Sequence, residues 1–140
     1  HRTDGTHNVG FKAHTGSELS IWADNEAIRI KPNGSVGIGT TGTGGHKLAV
    51  EGTIGAREIV VETDSWADFV FAENYQLISL NDLAKFINEN NHLPDIPSES
   101  EVKEEGISLG EMNAKLLQKI EELTLYVIDL QQQVDELKKK

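Results

Sequence analysis

The chain has 140 residues with 13 Lys and Arg against 23 Asp and Glu, a formal net charge of -10, which is room for one ordinary domain or two small ones. It contains no cysteine, excluding disulfides and Cys-ligated metal. The acidic balance argues against nucleic acid, where a basic face must replace counterions, and equally against anionic membrane surfaces. No apolar run approaches the ~20 residues that span a bilayer. The chain opens at His1 without an initiator Met, a basic n-region or an apolar h-region, so it reads as a fragment or a processed product.

Composition divides the chain. Of 13 glycines, all but Gly106 and Gly110 lie at or before Gly55. The first half is rich in Gly, Thr, Ile and Val with period-2 patterns, the second in Leu, Glu, Lys and Gln with helical periods. Alternating apolar residues mark short strands in order: Val9, Phe11 and Ala13; Leu19, Ile21 and Ala23; Ile28 and Ile30; Val36 and Ile38; Leu48 and Val50; Ile54 and Ala56; Ile59 and Val61. Turn signals separate them, including Asp24-Asn25, Asn33-Gly34 and Thr43-Gly44-Gly45. Asn33-Gly34 suits a tight hairpin because both residues accept positive φ. Residues 1–62 hold only 15 Val, Ile, Leu, Phe or Trp. A segment of that length is marginal as an independent fold, so the same strands of several chains are expected to share one core.

The helical half begins with Ser79-Leu80-Asn81-Asp82, which resembles a capping box, and Leu80, Leu83, Ala84 and Ile87 mark one face to about Asn90. Residues 91–97 contain Pro94 and Pro97 and cannot continue a helix. Ser98 with Glu101 predicts a second capping box and a short helix stopping at Gly106; Ser108 with Glu111 predicts a third box. In the last helix the apolar residues are Leu109, Met112, Leu116, Ile120, Leu123, Val127, Leu130, Val134 and Leu137. After one stutter this is a strict heptad, with Leu116, Leu123, Leu130 and Leu137 at d and Ile120, Val127 and Val134 at a. Such a seam needs a partner helix. Val and Ile at a with Leu at d favour a parallel dimer, whereas Leu125 and Ile128 widen the stripe. A wide stripe fits three helices, or two with another segment alongside.

Several motifs suggest chemistry and fail on context. Gly37-Ile38-Gly39-Thr40-Thr41-Gly42 matches the dinucleotide fingerprint, but a strand-like Lys47-Leu48-Ala49-Val50 follows where a helix is required. No Gly-Lys-Ser/Thr triplet exists for a phosphate-binding loop. His1, His7, His14, His46 and His92 lack helical or strand pairing, which disfavours zinc, although a threefold axis would let one His supply three ligands. No Gly-x-Ser-x-Gly elbow is present. Asn33-Gly34-Ser35 fits a glycosylation acceptor, and a hairpin turn explains it better. No catalytic residue, cofactor or metal is expected. The aromatic patch of Trp66, Phe69 and Phe71 is either a ligand platform, with Trp66 suited to stacking on a sugar, or a plug at the sheet-to-helix junction.

The stretch Gly34-Ser35-Val36-Gly37-Ile38-Gly39-Thr40-Thr41, followed by His46-Lys47-Leu48-Ala49-Val50-Glu51-Gly52-Thr53-Ile54, resembles the repeat of phage tail-fibre and tail-fibre-like bacterial surface proteins. The later residues Trp66-Ala67-Asp68-Phe69-Val70-Phe71, His92-Leu93-Pro94-Asp95-Ile96-Pro97-Ser98 and Leu109-Gly110-Glu111-Met112-Asn113-Ala114-Lys115-Leu116-Leu117 look like the ending that follows it. The resemblance spans roughly residues 34–130. It implies a homotrimeric fibre tip with intertwined strands, capped by a helical trimerisation region. Some such fibres end in a self-cleaving chaperone with a Ser–Lys dyad; this chain lacks the Ser-Asp-x-Arg-Leu-Lys pattern associated with that cleavage.

The expected fold is therefore β then α: a short-stranded, intertwined trimeric β shaft over residues 1–70, a short-helix junction with a Pro-containing loop over 71–107, and a parallel coiled coil over 108–140. The expected role is structural or adhesive, at the end of an extracellular fibre on a phage tail, an injection particle or a bacterial surface. Its expected partners are copies of itself and a cell-surface glycan or protein receptor. A self-cleaving fibre end and a carbohydrate-binding module are the competing classes.

Overall fold

The computed structural model describes residues 16–23, 25–62, 66 and 69–139. The expected strand at 9–13, the histidines His1, His7 and His14, and Ala67 and Asp68 lie outside them. The element order is strands first and helices second. The chain separates into two compact units, residues 1–58 and 59–140.

Among the described residues the first unit holds one mixed sheet of four short strands in sequential order: β1 (Leu19–Ala23), β2 (Asn25–Ile30), β3 (Val36–Ile38) and β4 (Leu48–Val50). β1 and β2 are antiparallel, with Ile21 opposite Ile28 and Trp22 opposite Glu26, so the register slips once across Ala27 in a bulge. β2 and β3 are antiparallel, pairing Ile28 with Ile38 and Ile30 with Val36. β3 and β4 are parallel, pairing Val36 with Leu48 and Ile38 with Val50. The parallel pair is sealed by Val36 N–H donating to Lys47 O at 2.8 Å and Glu51 N–H donating to Ile38 O at 3.0 Å.

The connection from β2 to β3 is wider than the two-residue hairpin expected at Asn33-Gly34. Lys31 N–H donates to Ser35 O at 2.8 Å, and Gly34 N–H donates to Lys31 O at 2.9 Å. Gly34 has φ +79, but Asn33 does not enter the left-handed region. Pro32 presets the turn, and the Asn33 side chain accepts from Ser35 N–H at 3.0 Å. The loop therefore uses one positive-φ residue and an Asx contact in place of the two positive-φ residues of a type I′ turn.

Ile54 with Ala56 and Ile59 with Val61 form no strand in the single chain. Among the described residues the sheet ends at β4, and a short alternating segment has no ladder without a neighbouring backbone. Ile54, Ile59, Val60 and Val61 all remain exposed.

Among its described residues the second unit contains three helices: α1 (Leu80–Asn90), α2 (Glu99–Glu105) and α3 (Leu109–Lys138). Ser79 caps α1 by accepting from Asp82 N–H at 3.2 Å and donates its own hydroxyl to Asp82 Oδ2 at 2.7 Å. Asn91 closes the helix with φ +60, a role its short polar side chain tolerates. Ser98 and Glu101 form the complete capping box of α2, which ends at Gly106. The box expected at Ser108 does not form, because Ser108 makes no side-chain cap bond. The Glu111 carboxylate pairs instead with Lys115 at 2.9 Å, one turn along α3. At 30 residues, α3 is about 45 Å long.

Gly37 carries a specific steric demand. A Cβ built there would lie 2.2 Å from the Thr40 carbonyl oxygen, whereas one at Gly55 would meet nothing within 4 Å. Gly37→Ala is expected to destabilise the sheet by about 1–3 kcal/mol, and Gly55→Ala to be nearly neutral. Thermal melts followed by circular dichroism check this, and equal midpoints for the two variants would remove the assigned role of Gly37.

Candidate functional site

Among the described residues Val70 is the only buried apolar side chain, 1% exposed. On α3 the apolar residues point into solvent instead. Leu123 is 60% exposed and Val127 57%, and Leu109, Leu116, Ile120, Leu130, Val134 and Leu137 are likewise exposed. Met112 is half-buried. The heptad positions read from the sequence thus share a helix on which they are left largely uncovered.

A polar cluster fixes which side of α3 its own chain covers. Glu122, 8% exposed, accepts on Oε1 from Tyr75 Oη at 2.5 Å, from Gln118 Nε2 at 2.8 Å and from Lys119 Nζ at 3.1 Å, and on Oε2 from Lys119 Nζ at 3.0 Å. Lys119 Nζ also reaches Asp95 Oδ2 at 3.1 Å. One turn on, Tyr126 Oη donates to Ile78 O at 2.6 Å. A buried carboxylate is tolerated where its lone pairs are filled and a cation stands beside it, and Glu122 meets both conditions. Lys119 and Tyr126 are g positions of the heptad, and Glu122 is a c position. The segments around Tyr75, Ile78 and Asp95 therefore pack on the c/g flank, leaving a and d open.

The cluster holds, and its protonation states reflect that. Burial opposes the charge on Lys119, but the hydrogen bonds to Glu122 and Asp95 outweigh it and hold the ammonium above its ordinary value. Burial and the Glu122 carboxylate raise the Tyr75 phenol, against a smaller lowering by Gln118. An amine activated as a nucleophile is shifted down; Lys119 is shifted up.

Beside this flank lies an open apolar groove of about 480 Å³. Leu116, Ile120, Leu123, Val127 and Leu130 form its floor, and Leu80 and Leu83 of α1, with Leu93 and Pro94, form its wall. The groove is an open apolar surface with Lys119, Glu122 and Tyr126 at its polar margin.

The aromatic patch is open as well. Trp66 is 58% exposed, and Phe69 and Phe71 are also exposed, with Phe69 tilted against Tyr75 at 5.9 Å between centroids. Gly37 is the middle residue of β3 and Gly39 follows its end, and the chain runs on through a loop into β4. His46 is exposed, and His92 stands edge-on to Phe86 at 5.6 Å with Nδ1 2.9 Å from Leu93 O. Among the described residues no three His, Asp or Glu side chains gather as a metal site, and no helix is long and apolar enough to cross a membrane.

Sequence reasoning missed the Tyr75, Asp95, Gln118, Lys119 and Glu122 cluster. The bonds that bring Tyr75 and Asp95 to α3 join residues 24 to 47 positions apart. The only local signal is the helical spacing of Gln118, Lys119, Glu122 and Tyr126. Comparison with protein-family models, curated proteins and solved structures returned no match.

The raised values of Lys119 and Tyr75 set a pH dependence. A group held above its unfolded value stabilises the fold fully below that value and loses the contribution as pH rises through the folded one. The helical unit is expected to lose stability above about pH 10, and Lys119→Met with Tyr75→Phe to flatten that loss. Thermal midpoints between pH 7 and 11 provide the check; an unchanged alkaline slope in the double variant contradicts it.

Proposed function

We propose that this chain is the assembling end of a homotrimeric extracellular fibre, in which α3 joins the copies as a parallel coiled coil and holds the strand half in register. The observation that carries the reading is the exposed heptad seam from Leu116 to Leu137. Complete burial of one Leu or Val side chain is worth about 1.5–3 kcal/mol, so seven such positions are a large driving force for association. The exposed Ile54, Ile59, Val60 and Val61, and a β4 edge with no further partner among the described residues, add support, since strands short of partners in one chain are completed by other chains in an intertwined shaft. The resemblance of residues 34–130 to tail-fibre endings supplies the setting: a virion tail, an injection particle or a bacterial surface. A receptor glycan or protein would be met by the same fibre.

One observation favours a dimer as the second reading. The apolar width of α3 fits three helices or two with another segment alongside, and the chain's own segments already occupy the c/g flank through Glu122, Lys119 and Tyr126.

Light scattering of the purified chain is expected to give the mass of three copies. A monodisperse monomer would overturn the assembly reading, and a dimer would select the second. Leu123→Asp places one charge per copy in a single apolar layer, at a cost of several kcal/mol, and is expected to dissociate the assembly.

The coiled coil would also raise the local concentration of the strands to roughly millimolar, whereas strand pairing between chains is non-local and slow to order. Deleting residues 108–140 is therefore expected to leave the strand half monomeric or aggregated. Grafting an unrelated trimeric coiled coil after Gly106 should restore it, and a dimeric one should not. Sedimentation and circular dichroism of the three chains decide this; a truncated chain that sediments as a folded trimer shows that the strands associate by themselves.

A further inference from the structure

The seam of α3 and the wall raised by α1 belong to one surface, and the residues on its floor are consecutive a and d positions, Leu116, Ile120, Leu123, Val127 and Leu130. We propose that this groove receives the α3 helix of a second copy, so that Leu83 and Leu93 of one chain clasp the neighbouring helix from outside the coiled-coil seam. The proposal rests on the assembly reading above and adds to it the wall, which a bare coiled coil does not have.

Three features select a second copy as the occupant. The floor follows a strict alternating three- and four-residue spacing. The helix that interdigitates with it as knobs into holes carries the same spacing, and α3 does so with its complementary face exposed. The second feature is charge. The chain is acidic at -10 overall, so two copies repel unless their carboxylates avoid the contact. The acidic residues of α3 after Leu116 are Glu121, Glu122, Asp129, Asp135 and Glu136, all at b and c positions. The e and g positions flanking the seam hold Leu117, Thr124, Gln131 and Lys138 on one side and Lys119, Tyr126 and Gln133 on the other, with no carboxylate among them. A basic foreign helix would find the carboxylate at the groove margin, Glu122, already bound to Lys119 at 3.0 Å. The third is geometry. In a parallel pair the g side of one helix faces the e side of the next. The wall stands on the g side, where Lys119 and Tyr126 are tied to its own chain, so it meets the neighbour's e side around Thr124.

The chain has no cysteine, so cross-linking is clean. Full-length Leu83→Cys chains carrying a size tag are mixed with untagged Thr124→Cys chains, refolded together and treated with a short bismaleimide. Light scattering reports the assembly state of each variant in parallel. The expected result is a product of one tagged and one untagged chain, absent when Asp135→Cys, on the b side, replaces Thr124→Cys. If Leu83→Cys alone fails to assemble, Leu93→Cys probes the same wall. An intact assembly with no mixed product from either wall position overturns the clasp and leaves the assembly reading standing. A monomeric unmodified chain overturns both.

Discussion

Apolar surface left uncovered among the described residues governs the rest of the structure. A helix of 30 residues carries its seam on one face, and among the described residues the single chain packs on the c/g flank beside that seam and leaves the seam itself largely uncovered. Val70 is the one apolar side chain taken fully out of water among the described residues. Exposed apolar surface of this extent is typical of interaction sites, and in the assembly proposed above another helix with the same repeat covers it.

The polar cluster decides how that seam is presented. With Tyr75, Gln118 and Lys119 all directed at Glu122, the segments that precede and follow α1 are drawn to one side of α3. Hydrogen bonds to charged groups are stronger than neutral ones, and an apolar contact in their place would allow those segments to slide onto the seam. Polar partners with fixed directions prevent that. Tyr126, bonded to Ile78 O at 2.6 Å, extends the same restraint by one turn. The groove between α1 and α3 follows from this arrangement, since Leu80 and Leu83 are held beside the seam without covering it.

The sheet shows a related shortage. Its strands are three to six residues long, and their large apolar side chains, among them Ile21, Trp22, Ile38 and Leu48, remain exposed. Its backbone ladder is well made, however, and its loops are internally bonded. Thr40 Oγ1 accepts from Gly42 N–H at 3.2 Å, Lys47 Nζ donates to Asn33 O at 2.9 Å, and Arg29 pairs with Glu18. Exposed ion pairs of this kind contribute little by themselves. Among the described residues, local order is present without a core beneath it.

Features governed by contacts within one turn were legible in the sequence. The four strands at 19–50, the start of α1 at Ser79, the capping box of Ser98 with Glu101, the stop at Gly106 and the heptad of α3 all depend on neighbours three or four residues away, or on simple alternation. Where a competing local partner existed the pattern misled: Glu111 pairs with Lys115 and leaves Ser108 uncapped, and Asn33 bonds Ser35 without entering positive φ. Only the tertiary structure decided that β3 and β4 run parallel, that residues 54–61 find no ladder, and that Tyr75 and Asp95 close on Glu122 and Lys119. Each of those depends on which distant backbone or side chain arrives to satisfy a donor or acceptor. Periodicity names the face a helix must bury, but the partner is chosen by long-range geometry.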